Sequence, residues 1–426
     1  MPSTAPGVGL LGCGFIARTH VRSLLEFADE VRIVALCDRS GSCGCEMLDY
    51  IHAYAAGEAE RLAAVIADTA SGERRAVLEA RRQALLETAV ASIRVYTSRR
   101  SLAQDPEVSL VVNSTPPFAH YRTTLDLLQA GKHVLLEKPL TGSLRQADEL
   151  IAEADRRGLC FSVVSQGRFG DEQRRLAELI RQGKLGRVFL LKADTQWWRR
   201  DDYYRLWWRG SWANECGGAL LNHAWHLLDQ GLFVMGQRVV RVYAQMGAFG
   251  HAALIEKMVG GRPIDDTTLA LITFADGSLA EVTAAVTLHI QRAQLEVYGS
   301  RAAALLNPWQ LDSQDPAYAG ELRAWAANCI EPMPEAWLPD RTGPQQYMDP
   351  AWPHTPQVRD VLDAIAAGRP PKISGREARA TLEVVLAAYK SALTGAPVDL
   401  PLAVDDPFYD GVLAALDPSA EPLPVE

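Results

Sequence analysis

Val8-Gly9-Leu10-Leu11-Gly12-Cys13-Gly14-Phe15-Ile16-Ala17-Arg18-Thr19-His20 is the stretch whose reading decides the fold. An apolar run enters Gly-x-Gly-x-x-Ala and leaves with the start of an apolar helix. Gly12 allows a tight turn, and Gly14 has no Cβ, so a pyrophosphate can approach the backbone. Ala17 is small enough for the helix to pack against the strand. The free N–H groups at the helix start, where Phe15 and Ile16 stand, together with the positive end of the helix dipole, then meet the phosphates. A second apolar run, Val31–Cys37, ends in Asp38, where an acidic side chain accepts hydrogen bonds from the adenosine ribose hydroxyls. Asp38 repels a 2′-phosphate, so NAD rather than NADP is the expected cofactor. Arg39 and Ser40 are the residues that could turn a phosphate-binding face to the same place.

At 426 residues the chain has room for two or three domains. Its 48% hydrophobic and 22% charged content is that of a globular enzyme, and a formal charge of −9 argues against nucleic-acid or anionic-membrane partners. No run approaches the ~20 apolar residues of a membrane span. The first strand starts almost at once, which leaves no room for a signal peptide. Seven scattered cysteines fit a reducing cytoplasm. Cys37, Cys43 and Cys45 read as a helix entry that carries thiols, with no metal site expected.

Residues 40–92 are Ala-, Glu- and Arg-rich with helical periodicity, broken at Ser71-Gly72. They read as a helical insertion after the second strand, either a solvated hairpin or a lid or oligomer contact. Strand–helix alternation then resumes through Ile93–Tyr96, Ser109–Ser114, His133–Leu136 and Cys160–Ser165, the pattern of a parallel sheet. From about Arg187 long strands predominate: Val188–Thr195, Val239–Gln245, Thr268–Phe274, Ser278–Thr287 and Gln294–Tyr298, with a hairpin turn at Ala275-Asp276-Gly277. The expected fold is α/β: a Rossmann domain over 1–140 and a second α/β domain over 141–405. The second domain is built on a large, mainly antiparallel sheet with one open face. A Pro-rich excursion over 306–352 with a short helix, and an acidic Pro-rich tail over 406–426 that frays, complete the reading.

Three further stretches carry chemistry: Ser114-Thr115-Pro116-Pro117-Phe118-Ala119-His120, Gly131–Leu140 with Glu137-Lys138-Pro139, and Glu215-Cys216-Gly217-Gly218-Ala219-Leu220-Leu221-Asn222-His223-Ala224-Trp225-His226. With the glycine loop, and in this order, they resemble the Gfo/Idh/MocA oxidoreductases over about residues 7 to 403, apart from the two insertions. The resemblance implies a nicotinamide held between a Rossmann domain and a sheet domain that mediates dimers or tetramers. It places Lys138 beside the nicotinamide ribose and the reacting hydroxyl, with Glu137 orienting the cofactor's end and His120 near the nicotinamide. Ser114, Thr115 and Pro116 belong to the cofactor side. Asn222 and His226 match its Asp/Asn and His positions. Cys216 departs from the glycine triple, and Asn222 removes a carboxylate present in other members.

The residues support this independently. Asn222 and His226 are four apart on an apolar helix, hence on one face. His226 is titratable near neutrality and suits the base role, Lys138 supplies charge to the developing alkoxide or acts as base, and Asn222 can only position the hydroxyl. His223 reads as structural. The stretch from Trp197 to Trp212 holds five of the ten tryptophans, interleaved with Arg199, Arg200, Arg205 and Arg209. Aromatic faces suit sugar C–H faces and arginines suit a carboxylate, phosphate or sulfonate; packing at a sheet edge or subunit interface is the alternative. By the resemblance Tyr204 and Arg168 face the substrate, and Arg209 and Tyr298 the cofactor. The expected function is NAD-dependent oxidation of a secondary hydroxyl in a sugar, polyol or sugar acid. A glycoside hydrolase that oxidises C3 transiently and a non-catalytic dinucleotide sensor are the alternatives.

Overall fold

Gly7–Leu11 form β1, and the first half of the chain is laid out on either side of it. The structure, a computed structural model, describes residues 5–70, 72–251, 262–330 and 354–419. β1 pairs in parallel with β2 (Arg32–Cys37) on one side and with β4 (Val108–Asn113) on the other. β3 (Arg94–Tyr96), β5 (His133–Leu136) and β6 (Phe161–Val163) complete a six-stranded sheet of order β3-β2-β1-β4-β5-β6. The order reverses between β1 and β4, and ligands bind outside the carboxyl ends of strands at such a switch point. Because β6 belongs to this sheet, the Rossmann unit runs past residue 140, the boundary read from sequence.

Two helices correct the reading of residues 40–92. α1 (Phe15–Leu25) follows the glycine loop, and α2 (Gly41–Asp68) and α3 (Gly72–Thr88) follow β2. α2 is not an appendage. Its Met47, Ile51, Ala55, Ala59 and Leu62 are buried in one cluster with Val8, Leu10, Ala17 and Val21 of β1 and α1. Gly44 brings the helix so close to β3 that a Cβ there would come within 2.6 Å of the Val95 side chain. α2 is thus the crossover between β2 and β3, and only its far end and α3 extend the domain sideways. Alternating Ala and large apolar residues hid this, because a crossover helix and an inserted hairpin share the same periodicity.

The second sheet has eight strands: β7 (Val188–Trp198), β8 (Val239–Gly247), β9 (Thr267–Phe274), β10 (Leu279–Ala285), β11 (Thr287–Gly299), β12 (Ala303–Leu306), β13 (Gln310–Asp312) and β14 (Val398–Asp399). Their order is β13-β12-β11-β7-β10-β9-β8-β14, with β7 and β10 parallel and the other pairs antiparallel. The Ala275-Asp276-Gly277 turn joins β9 to β10, with Gly277 at φ +82°. Helices Trp225–Met235 and Gly375–Thr394 cover one face, while Leu269, Leu271 and Leu279 on the other are each at least half exposed.

Within the stretch read as a loop excursion, Gln310–Asp312 form the edge strand β13, and the expected short helix is Pro316–Asn328; residues 331–353 lie outside the described ones. The tail is anchored up to residue 419, since Phe408, Tyr409 and Val412 are buried and Arg145 pairs with Asp410 at 2.5 Å. Residues 420–426 lie outside the described ones.

If α2 belongs to the core, Ile51→Ala should cost about 2–4 kcal/mol in urea unfolding. Val77→Ala on the exposed side of α3 should stay within about 0.5 kcal/mol.

Candidate active site

At the carboxyl end of β1, Gly12 adopts φ +87°, and a Cβ there would lie 2.8 Å from the Ser114 carbonyl oxygen, so only glycine fits. Gly14 caps α1 without a side-chain cap, and a Cβ on it would meet nothing within 4 Å. The first amides of α1, including those of Phe15 and Ile16, therefore face open space suited to phosphate. The Phe15 side chain itself is 88% exposed. Asp38 accepts from Cys13 N (2.8 Å) and Ser40 N (2.9 Å), which fixes its carboxylate at the end of β2. A cavity of about 390 Å³ opens beside it, lined by Gly12, Asp38, Arg39, Ser40, Thr115 and Pro116 among others. Ser114 Oγ donates to Gly12 O (2.7 Å), tying β4's end to the loop. Phe118 and Trp207, edge to face at 5.5 Å, wall the cavity from the two halves of the chain.

Two strands further along the sheet, Glu137 and Lys138 leave the end of β5. Glu137 is buried; its Oε1 bonds His20 Nε2 of α1 at 2.8 Å, and its Oε2 accepts from Lys138 N at 3.0 Å. Burial pushes this carboxyl up, but the His20 bond and the nearby charge of His20, His354 and Lys138 prevail and hold it at about 2. The donor atoms of His20, Glu137 and His354 lie within 4.8 Å of one another, a geometry that could also hold a cation. His120 sits buried between Pro139 O (2.6 Å) and Thr115 O (2.7 Å), bracing the two strand ends against each other.

Lys138 Nζ crosses to the second half of the chain and donates to Asn222 O at 2.7 Å. Burial lowers its pKa; Glu137 opposes this, and Arg209 and Arg199 reinforce it, leaving the amine at about 8. Asn222 lies in a π-helical turn, Leu220–Ala224, that leads into the helix Trp225–Met235. Its side-chain amide donates to Gly217 O (2.5 Å) and Glu215 O (3.3 Å). The Asn222 donor group is therefore spent on the turn, and only its side-chain carbonyl is left for a substrate. His226 sits within the charge field of Lys138, and burial followed by that charge pushes its imidazole down to about 3. His226 is therefore neutral in the neutral range, a form that can accept a proton or a hydrogen bond but that does not titrate there.

The aromatic stretch splits in two. Trp197, Tyr203 and His223 surround Arg199, whose Nε donates to His223 Nε2 at 3.1 Å. His223, read as structural, thus belongs to the site; its place in the π turn redirects it, which no α-helical spacing reveals. Arg209 stacks 3.8 Å over Trp208 and is ion-paired with buried Glu215, which also accepts from Gly210 N at 2.7 Å. Tyr204 faces Tyr203 and His251 (4.8 Å to the latter) rather than standing alone toward a substrate. Arg168 is committed elsewhere. It pairs with buried Asp229 through two nitrogens (Nε at 2.7 Å), and Thr381 bonds the same carboxylate at 2.8 Å. Tyr298 bonds Glu296 at 2.6 Å on the second sheet, with no bond to the glycine loop.

Comparison with known proteins shows the family and the fold. A model described as the oxidoreductase family with NAD-binding Rossmann fold matches residues 48–165, and one for the GFO/IDH/MocA C-terminal domain matches residues 173–305. The chain belongs to the Gfo/Idh/MocA oxidoreductases. An uncharacterised oxidoreductase of Schizosaccharomyces pombe is 34% identical over 148 residues, which are 34% of this chain and 38% of that protein, well under two thirds of its length. A myo-inositol 2-dehydrogenase of Thermotoga maritima is 23% identical over 70% of this chain and 81% of its own. The WlbA dehydrogenase of Bordetella pertussis, solved with NADH and UDP-GlcNAcA, shares the fold at TM-score 0.68 and 20% identity, covering 94% of this chain and 100% of that one.

Asp38 is the acidic residue lining this cavity, with Arg39 and Arg99 as its basic neighbours. Asp38→Ala should narrow the ratio of NADP to NAD dissociation constants by about tenfold or more in calorimetric titration. An unchanged ratio would remove Asp38 from cofactor choice.

Proposed function

We propose that this chain oxidises a secondary hydroxyl of a sugar, polyol or sugar acid with NAD. The observation that carries the reading is Lys138, a half-buried residue whose amine sits at about 8, held by Asn222 O at the carboxyl edge of a Rossmann sheet. Gly12, Gly14, Phe15, Ile16, Asp38, Ser114, Thr115 and Pro116 fit a dinucleotide: open helix amides for phosphates and a fixed carboxylate for the ribose. When bound, NAD supplies the acceptor for the hydride that leaves the carbinol carbon.

The protein's own part is the proton. Neutral Lys138 donates one N–H to Asn222 O and keeps its lone pair for the substrate hydroxyl. The hydroxyl proton passes to Nζ as the C–H bond gives up its electron pair, leaving a carbonyl, NADH and an ammonium. Glu137, ionised at about 2, steadies that ammonium from beside it. His226, neutral throughout, hydrogen-bonds the reacting oxygen and orients it. A base matched to the working pH is what general-base catalysis asks for. We also propose that the exposed Leu269–Leu271–Leu279 face joins copies of the chain; Leu271→Glu should then lower the mass seen by light scattering.

A panel of sugars, sugar acids and aryl glycosides with NAD, followed for both NADH and aglycone release, tests the reaction. Net NADH supports it, and aglycone release without NADH contradicts it. With a substrate in hand, kcat/KM should rise about tenfold per pH unit below about 8 and level off above, because only the neutral amine accepts a proton. Lys138→Met should abolish that limb and lower kcat by roughly 10²–10⁴. His226→Ala should lower kcat but keep the limb; loss of the limb in this variant alone would make His226 the base.

A further inference from the structure

Arg199 is the charged group in this cleft that has no counter-charge. Trp197, near the end of β7, and Arg199, just past it, both contact His223, whereas Trp198 between them stacks on His289 at 4.2 Å. The backbone at Arg199 is pinned at both ends: its N–H donates to Val286 O (2.9 Å), and its carbonyl meets His251 Nε2 (2.8 Å). The guanidinium lies 5.0 Å from the Trp197 ring centre and 5.6 Å from that of Tyr203, and its Nε is used on His223. That bond makes His223 Nε2 an acceptor, so the ring proton sits on Nδ1, which is buried without a partner. His223 directly follows Asn222, whose carbonyl accepts from Lys138 Nζ, so one π-helical turn links Arg199 and Lys138 through adjacent residues.

The neighbouring charges are accounted for. Arg209 is paired with Glu215, and Glu137 lies between His20 and Lys138. Among the described residues no carboxylate pairs with Arg199, and neither of its terminal nitrogens meets a protein acceptor. A half-buried guanidinium loses hydration, and its planar fork is built for two parallel bonds to an oxyanion. Two aromatic rings hold that fork rigid beside Lys138.

We infer that the substrate carries an oxyanion, a carboxylate or a phosphate ester, which docks on Arg199 while its secondary hydroxyl meets Lys138. The inference rests on the dehydrogenase reading and narrows its substrate to anionic sugars. Arg199 is then a specificity residue, which discriminates by charge between an acid and its neutral counterpart.

The test uses the full chain with NAD. The gluco, galacto and manno hexuronates and hexose 6-phosphates are compared with the corresponding neutral hexoses. The expected result is a kcat/KM at least about 10- to 100-fold higher for the best anion than for its neutral partner, the range of one charge-assisted bidentate contact. Arg199→Met should collapse that ratio toward one and Arg199→Lys should restore part of it. Arg205→Met, on an exposed residue paired with Asp202, should leave it unchanged. A purely structural role for Arg199 would lower both rates and keep the ratio. Equal rates for anion and neutral hexose in the wild type, or a ratio that survives Arg199→Met, would overturn the inference while NADH formation kept the redox reading intact. If no sugar is turned over, the redox reading fails. Calorimetric titration of the same uronates and phosphates into the NADH complex then decides alone: oxyanion-dependent binding lost in Arg199→Met supports the inference, and its absence in the wild type overturns it.

Discussion

Lys138 leaves the first sheet half-buried, and its amine is satisfied by a backbone carbonyl of the other half of the chain. Much of the site follows from that one bond. An ordinary α-helix keeps its interior carbonyls for itself, so the acceptor is found in a π-helical turn, a feature that recurs at functional sites. The same turn draws the Asn222 amide back onto Gly217 and Glu215 and presents His223 to Arg199. Burial, together with the charges of Arg209 and Arg199, then brings the amine from 10.5 to about 8. Positioning and acidity thus share a cause.

The architecture keeps this poised group supported from the back. His20 on α1 holds Glu137, whose second oxygen takes the Lys138 amide N–H. The helix that offers its N-terminus to phosphates is therefore the same helix that fixes the carboxylate beside the base. His120 ties the β4 and β5 ends together through two carbonyls. The glycine-loop helix, the β4 and β5 ends and Lys138 are thus joined by one run of hydrogen bonds.

Much of this was legible in the residues. The glycine loop, Asp38 and the parallel strands of the first sheet follow from local rules, since turn chemistry and apolar periodicity are written within a few neighbours. Glu137, Lys138, Asn222 and His226 were singled out by motif, and the proposed reaction rests on them. Roles that depend on long-range partners were not legible. Arg168 reads like a substrate arginine until Asp229, sixty-one residues away, is seen to hold it. His226 reads as titrating near neutrality because its ordinary pKa lies there, and only burial and the charge of Lys138 pull it down. His354, at the far end of the chain, reaches His20 at 5.3 Å between ring centres with no local signal at all. α2 looked inserted because periodicity gives a helix's apolar face but not what covers it.

The central claim is that Lys138, not His226, carries the titration of the site. It is read most directly without turnover, by following the lysine ¹³Cε resonances of the NADH complex across pH, with the Lys138 signal assigned from its loss in Lys138→Arg. A midpoint near 8 is predicted, well below the 10.5 of a solvated lysine. A midpoint at 10 or above would show an amine that stays protonated at neutral pH, and Lys138 could not then be the proton acceptor.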